Sequence, residues 1–203
     1  MAYSDFTLRR VKEQFGLTLI EGVCFFPEIQ TVEPTTPYLI DILQESLPLA
    51  ISMGSEKARS ELLISPVLFE LRRIMNRQMS FFSGEEFTVD AENGLNGVCD
   101  FLLSRSSEQL MVEAPAVVIV EAKKENIKGG FGQCIAEMIA AQKFNDNAQK
   151  SIDIIFGTVT TGNSWTFLKL EGKTVTIDLT EYRLLPIQQL LGILVWMMEP
   201  DAV

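Results

Sequence analysis

The spacing of hydrophobic positions changes from helical to strand-like near residue 79, and that change organises the chain. Ahead of it, Leu8, Val11 and Phe15 fall on one stripe of a helix predicted from Ser4, a capping side chain, to about Phe15. A second helix is predicted over Tyr38 to Met53 and a longer helical stretch over Glu56 to Arg77. Ser65-Pro66 interrupts that stretch, because proline removes a backbone donor and crowds the preceding turn, so it is kinked there or is two helices. Beyond Met79 the pattern predicts strands at 79–82, 86–90, 97–104 and 116–122, with turns at Ser83-Gly84 and Asn93-Gly94. A helix at 132–144, strands at 152–159, 164–170 and 173–179, and a last helix at 186–198 complete the series.

Two strands are apolar on both faces: Val117 to Val120 is an unbroken run, and Val98 to Leu103 is interrupted only by Asp100. Strands of that kind lie inside a sheet covered on both sides. The expected fold is an α/β three-layer sandwich, a central mixed β-sheet flanked by helices. It forms a single domain over 1–203: a mostly helical segment 1–54, a core 55–170, and a C-terminal strand and helix 171–203. The stretch LLGILVWMM at 190–198 is too short to span a bilayer and too apolar for a solvated helix. It is expected to pack on the domain or on a second subunit, and a homodimer is the expected assembly.

Composition narrows the chemistry. The 203 residues include no histidine, which removes Ser-His-Asp and Cys-His catalysis and every imidazole metal site. Three widely separated cysteines imply neither a disulfide framework nor a zinc knuckle, and the start lacks an apolar signal core, so a cytoplasmic protein is expected. The net charge of −10 argues against indiscriminate nucleic-acid binding, yet eleven of the seventeen basic residues lie within 55–150, where any basic groove must be built.

The same region holds the candidate chemistry. A carboxylate within a buried strand costs roughly several kcal/mol unless it is paired or binds a cation, and Asp100 is placed so. On the next strand, Glu121 and Lys123 are two residues apart and share a sheet face. Asp100, Glu121 and the Ala122 carbonyl are a ligand set for a hard divalent cation, and Lys123 beside it is placed to orient a water. That set suits phosphodiester hydrolysis. A second Glu-x-Lys, at Glu171-Gly172-Lys173, falls in a predicted hairpin turn and lacks the preceding apolar strand and upstream aspartate.

The 21-residue spacing from Asp100 to Glu121, followed by Ala122-Lys123 at a strand end, resembles the PD-(D/E)XK nuclease superfamily. GLNGVCDFLLS, VVIVEAKKENI and GGFGQCIAEMIAA resemble in particular stand-alone members of the kind common in cyanobacteria. The resemblance implies a restriction-endonuclease-like fold, Mg2+ as cofactor with Mn2+ as substitute, and nucleic acid, DNA foremost, as partner. It makes Asp100, Glu121, Lys123 and Gln133 the catalytic set. It also implies an acid from the first core helix, with Glu61 the candidate and Glu70 the alternative. The chain departs from the family pattern at Cys99, where a proline is usual, and at Glu137, where the RecB-like branch has an aromatic. Glu137 is read as a supporting or surface group. Lys124, Lys128, Arg72, Arg73 and Arg77 are candidate phosphate contacts or plain solvated charge. The rival expectation is a non-catalytic binding or assembly protein on the same fold, with no membrane partner in either case.

Overall fold

β-Branched and aromatic residues are gathered in the strands between Val98 and Arg183, which belong to one seven-stranded sheet and occupy much of the second half of the chain. The computed structural model describes residues 1–199. Its strands are β1 (Thr18–Glu21), β2 (Ser80–Glu86), β3 (Val98–Ser104), β4 (Ala116–Ala122), β5 (Ile154–Thr160), β6 (Ser164–Glu171) and β7 (Thr174–Arg183). They lie in the order β1-β7-β6-β5-β4-β3-β2. Pairing is parallel for β4 with β5 and for β1 with β7, and antiparallel elsewhere, so the sheet is mixed. β4 and β5 are buried along their whole length, as central strands covered on both faces must be.

Alternation along each strand divides the core in two. Phe101, Leu103, Val118, Val120, Phe156 and Phe167 face α2 (Tyr38–Met53), α4 (Ser65–Ile74) and α6 (Ile187–Met198). Leu102, Ile119, Ile155, Val159 and Leu168 face α1 (Leu8–Phe15) and α5 (Ile127–Asn147). The result is a sheet between two helical layers. α6 turns Leu190, Leu191, Ile193, Leu194 and Met197 into the first core, so the apolar stretch at 190–198 spends its surface within the chain. No helix among the described residues is long and apolar enough to cross a membrane.

Several boundaries differ from the sequence expectation, each for a tertiary reason. The segment 1–54 supplies an edge strand, β1, which pairs with β7 and so joins the sheet. The first helix is capped by Thr7, whose hydroxyl accepts from the Arg10 N–H, and Ser4 belongs to a separate 3-10 turn. The strands expected at 79–82 and 86–90 are replaced by one strand, β2, that runs through Ser83-Gly84. Gly84 takes a left-handed φ of 66° within it, opposite Asp100 in the β2–β3 register. Beyond it, 87–90 contributes only an isolated bridge, Asp90 to Leu95. Pro66 leaves the long helix in one piece: α3 (Glu56–Arg59) passes through a π-helical turn (Ser60–Ile64) into α4, the wider turn lying just ahead of the ring.

α5 begins five residues before its expected start, at Ile127, with Asn126 accepting from the Gly129 N–H at 3.1 Å. Gly129, Gly130 and Gly132 therefore lie inside the helix. A side chain at Gly132 would fall on the backbone of Phe6, Thr7 and Leu8, and one at Gly130 would come within 2.7 Å of Val159 and 3.1 Å of the Lys123 stem. These glycines let α5 approach the sheet and the N-terminal segment closely. Gly132→Ala is expected to destabilise the chain by about 1–3 kcal/mol through overpacking, measured as a fall in the urea midpoint at unchanged slope.

Candidate functional site

Sequence alternation places Glu121 and Lys123 on the α5 face of the sheet, and the register places Asp100 beside them. The last paired residues of β3 and β4 are Phe101 and Val120, so Asp100 and Glu121 stand where the two strands part. There the Asp100 carboxylate accepts from the Ala122 N–H at 2.8 Å. The observed tie between Ala122 and Asp100 thus runs through the amide N–H, whereas the sequence reading used the carbonyl. Burial raises the Asp100 pKa above the ordinary carboxylate range, an effect the Ala122 hydrogen bond partly offsets.

Glu121 has no exposure to solvent. Its Oε2 accepts from Gln133 Nε2 at 2.9 Å, while Oε1 is in direct contact with the Lys123 ammonium as an ion pair. Gln133 Nε2 gives its other hydrogen to Glu137 Oε1 at 3.1 Å, and Gln133 Oε1 accepts from Lys123 Nζ at 3.4 Å. These neighbours dictate the amide's orientation, since flipping it would set its oxygen against two carboxylates and its NH2 against an ammonium. Gln133 is the hub of the cluster.

Sequence reasoning placed Glu137 as a supporting or surface group. The structure buries it completely, with Oε2 lacking any hydrogen-bond partner. Burial, and then the charge of Glu121, hold the Glu137 carboxyl well above its ordinary pKa. Burial and the Asp100 charge push Glu121 up to about 8. For Lys123, burial draws the pKa down, but the attraction of Glu121 outweighs it and the net shift is upward. Position 137 is one helical turn from Gln133, and that spacing was the available signal for its inclusion.

Neither helix acid named from the sequence joins this group. Glu61 is exposed and pairs with Lys57 at 3.0 Å. Glu70 is buried but accepts from the Thr35 N–H and pairs with Arg73 at 3.3 Å. Both line a separate cavity of about 310 Å³ with Tyr38 and Phe69. Instead the fold brings up Glu56, in the first turn of α3 behind its Ser55 cap. Glu56 accepts from the Lys124 N–H at 3.2 Å, and its charge acts on Asp100, Glu121 and Lys123. Among the described residues, no group of three or more acids or cysteines is gathered as a closed metal-ligand set.

Of the basic candidates, Arg72 donates to the Met79 carbonyl and Arg73 is taken by Glu70, while Arg77, Lys124 and Lys128 are exposed. Cys99, Cys134, Trp165 and Phe167 are buried core residues. No family model matches the chain, and comparison with curated proteins and with solved structures gives no match.

The Glu121 shift has a stability consequence. Between about 4.5, its ordinary value, and about 8, the folded metal-free chain holds a proton that the unfolded chain has released. The contribution is complete below pH 4.5 and is lost as pH rises through about 8, at up to about 1.4 kcal/mol per pH unit for one proton. Urea unfolding of metal-free Glu121→Gln is expected to show a flatter pH profile across that window than wild type. Parallel profiles would mean that Glu121 is ionised in the folded state.

Proposed function

We propose that the chain is a metal-dependent nuclease of the PD-(D/E)XK, restriction-endonuclease-like type, hydrolysing phosphodiester bonds of nucleic acid, with DNA the expected substrate. The observation that carries this reading is the convergence of Asp100, Glu121, Lys123 and Gln133 where β3 and β4 part. The succession of α4, β2, β3, β4, α5 and β5 spans most of the stretch that bears the sequence resemblance, which supports the same reading.

The residues fit a hard divalent cation. Glu121 Oε1 is buried with only the Lys123 ammonium as its partner, and Asp100 beside it is a second carboxylate whose charge is disfavoured by burial. Two protein carboxylates suffice for Mg2+, which keeps several water or substrate ligands of its own. When bound, Mg2+ or Mn2+ would supply Lewis-acid activation of a water and of the phosphoryl group. Glu56, in place of Glu61 or Glu70, is the helix acid that adds negative charge to the site.

Lys123 keeps its proton in the metal-free chain, so its role is to donate hydrogen bonds that orient the water and a non-bridging phosphate oxygen. Gln133 holds Lys123 and Glu121 in register, and Glu137 holds Gln133. In the reaction the water oxygen forms a new bond to phosphorus and gives up a proton to solvent, the ester P–O bond breaks, and the leaving oxygen takes up a proton from solvent. The three cysteines are free, which suits a reducing, cytoplasmic setting.

Lys123→Ala is expected to lower cleavage by about 10²–10⁴-fold while far-UV dichroism is unchanged. Calorimetric titration of Mn2+ should give binding in the wild type that is lost in Glu121→Ala. Cleavage retained by Lys123→Ala would overturn the mechanism. Absence of both metal binding and cleavage would favour the rival, an assembly or binding protein in which the Lys123–Glu121–Gln133 cluster is purely structural.

A further inference from the structure

Two of the buried charged groups in this chain have a counter-charge in contact, and the one buried cation of the helix leading to the site does not. Glu70 has Arg73 and the Thr35 N–H, and Glu121 has Lys123 and Gln133. Arg59 is only 8% exposed, yet among the described residues it forms no ion pair. Its Nη1 donates to the Thr161 carbonyl at 2.8 Å, and its Nε is buried without a partner. A buried guanidinium with no counter-charge is unfavourable in the free chain and favourable once an anion arrives.

Arg59 lines an open recess of about 380 Å³ between the end of α3, the segment after β4, and the β5–β6 turn. Ser164, on the same wall, also has a buried hydroxyl without a partner. Lys124 adds a second cation to the lining. Glu125 and Glu181 line it too, and Arg183 lies 3.8 Å from Glu181. The recess adjoins the carboxylate cluster: Glu56 and Arg59 are three residues apart on α3, and the Lys123 N–H donates to the Thr160 carbonyl at 2.7 Å.

We propose that this recess is an oxyanion subsite that seats a phosphate group through Arg59, Ser164 and Lys124. In the nuclease reading, on which this assignment of source rests, that group is a phosphate of the nucleic-acid backbone next to the one being cut. Arginine's planar fork suits a phosphate, and a phosphate oxygen can accept from the Ser164 hydroxyl.

The test uses the full chain without divalent metal, so that no cutting occurs. Inorganic phosphate and pyrophosphate are titrated in thermal-unfolding experiments, and a short single-stranded oligonucleotide is titrated by fluorescence anisotropy. Phosphate is expected to raise the wild-type unfolding midpoint. Arg59→Gln is expected to lose that rise and to weaken oligonucleotide binding at least about tenfold; Ser164→Ala should give a smaller loss in the same direction. An Arg59-dependent phosphate response without oligonucleotide binding would support the subsite, assign it to a small phosphate-bearing ligand and count against the nuclease reading. Oligonucleotide bound and, with Mn2+, cut equally by wild type and Arg59→Gln would overturn the subsite and leave the nuclease reading standing. Should Arg59→Gln not fold, the wild-type phosphate response and Ser164→Ala decide: no midpoint shift with phosphate or pyrophosphate overturns the proposal.

Discussion

Glu121 lies at the end of a central strand with no access to solvent, and much of the local architecture follows from compensating it. A carboxyl group so placed costs roughly several kcal/mol unless it is paired, hydrogen-bonded or protonated. The chain uses all three means: the Lys123 ammonium, the Gln133 amide, and a pKa pushed up to about 8. Gln133 can reach Glu121 only if α5 lies close to β4 and β5. That closeness demands glycine where the backbones approach, at Gly130 against Val159 and Lys123, and at Gly157 of β5, where a side chain would stand 2.9 Å from Cys134.

The cluster is overfull of acid. Glu121 and Glu137 share the two hydrogens of one amide, Asp100 adds a third carboxyl nearby, and Lys123 is the cation that touches Glu121. Under the proposed function, a divalent cation would complete this set of carboxyl groups at the parting of two strands and displace the protons that burial makes them hold. The buried and uncompensated Arg59 on the neighbouring wall has the complementary character, a cation in want of an anion.

The long helix from α3 to α4 ties these features to the rest of the fold. Its π turn carries it past Pro66, so that α4 packs Val67, Leu68 and Leu71 into the core while α3 leads back to the site. Glu56 and Arg59 sit on that leading segment. A proline that reads as an interruption along the sequence thus stands within the helix that delivers both groups.

Local periodicity determined the strands β3, β4 and β6 to within a residue, the helices α2 and α6, and the layered α/β character, because burial on one or two faces leaves a short-range imprint in residue order. It also singled out Asp100, Glu121 and Lys123, since charge inside apolar runs is visible without coordinates, whereas Gln133 was named only by the family resemblance. The sequence alone could not decide which helix acid reaches the cluster, that Glu137 is buried, that Gly84 lies within a strand, or that Thr18–Glu21 joins the sheet. Each of these depends on which segments are brought together across tens of residues. Desolvation and hydrogen bonding between such segments are set by tertiary packing, and no local pattern records them.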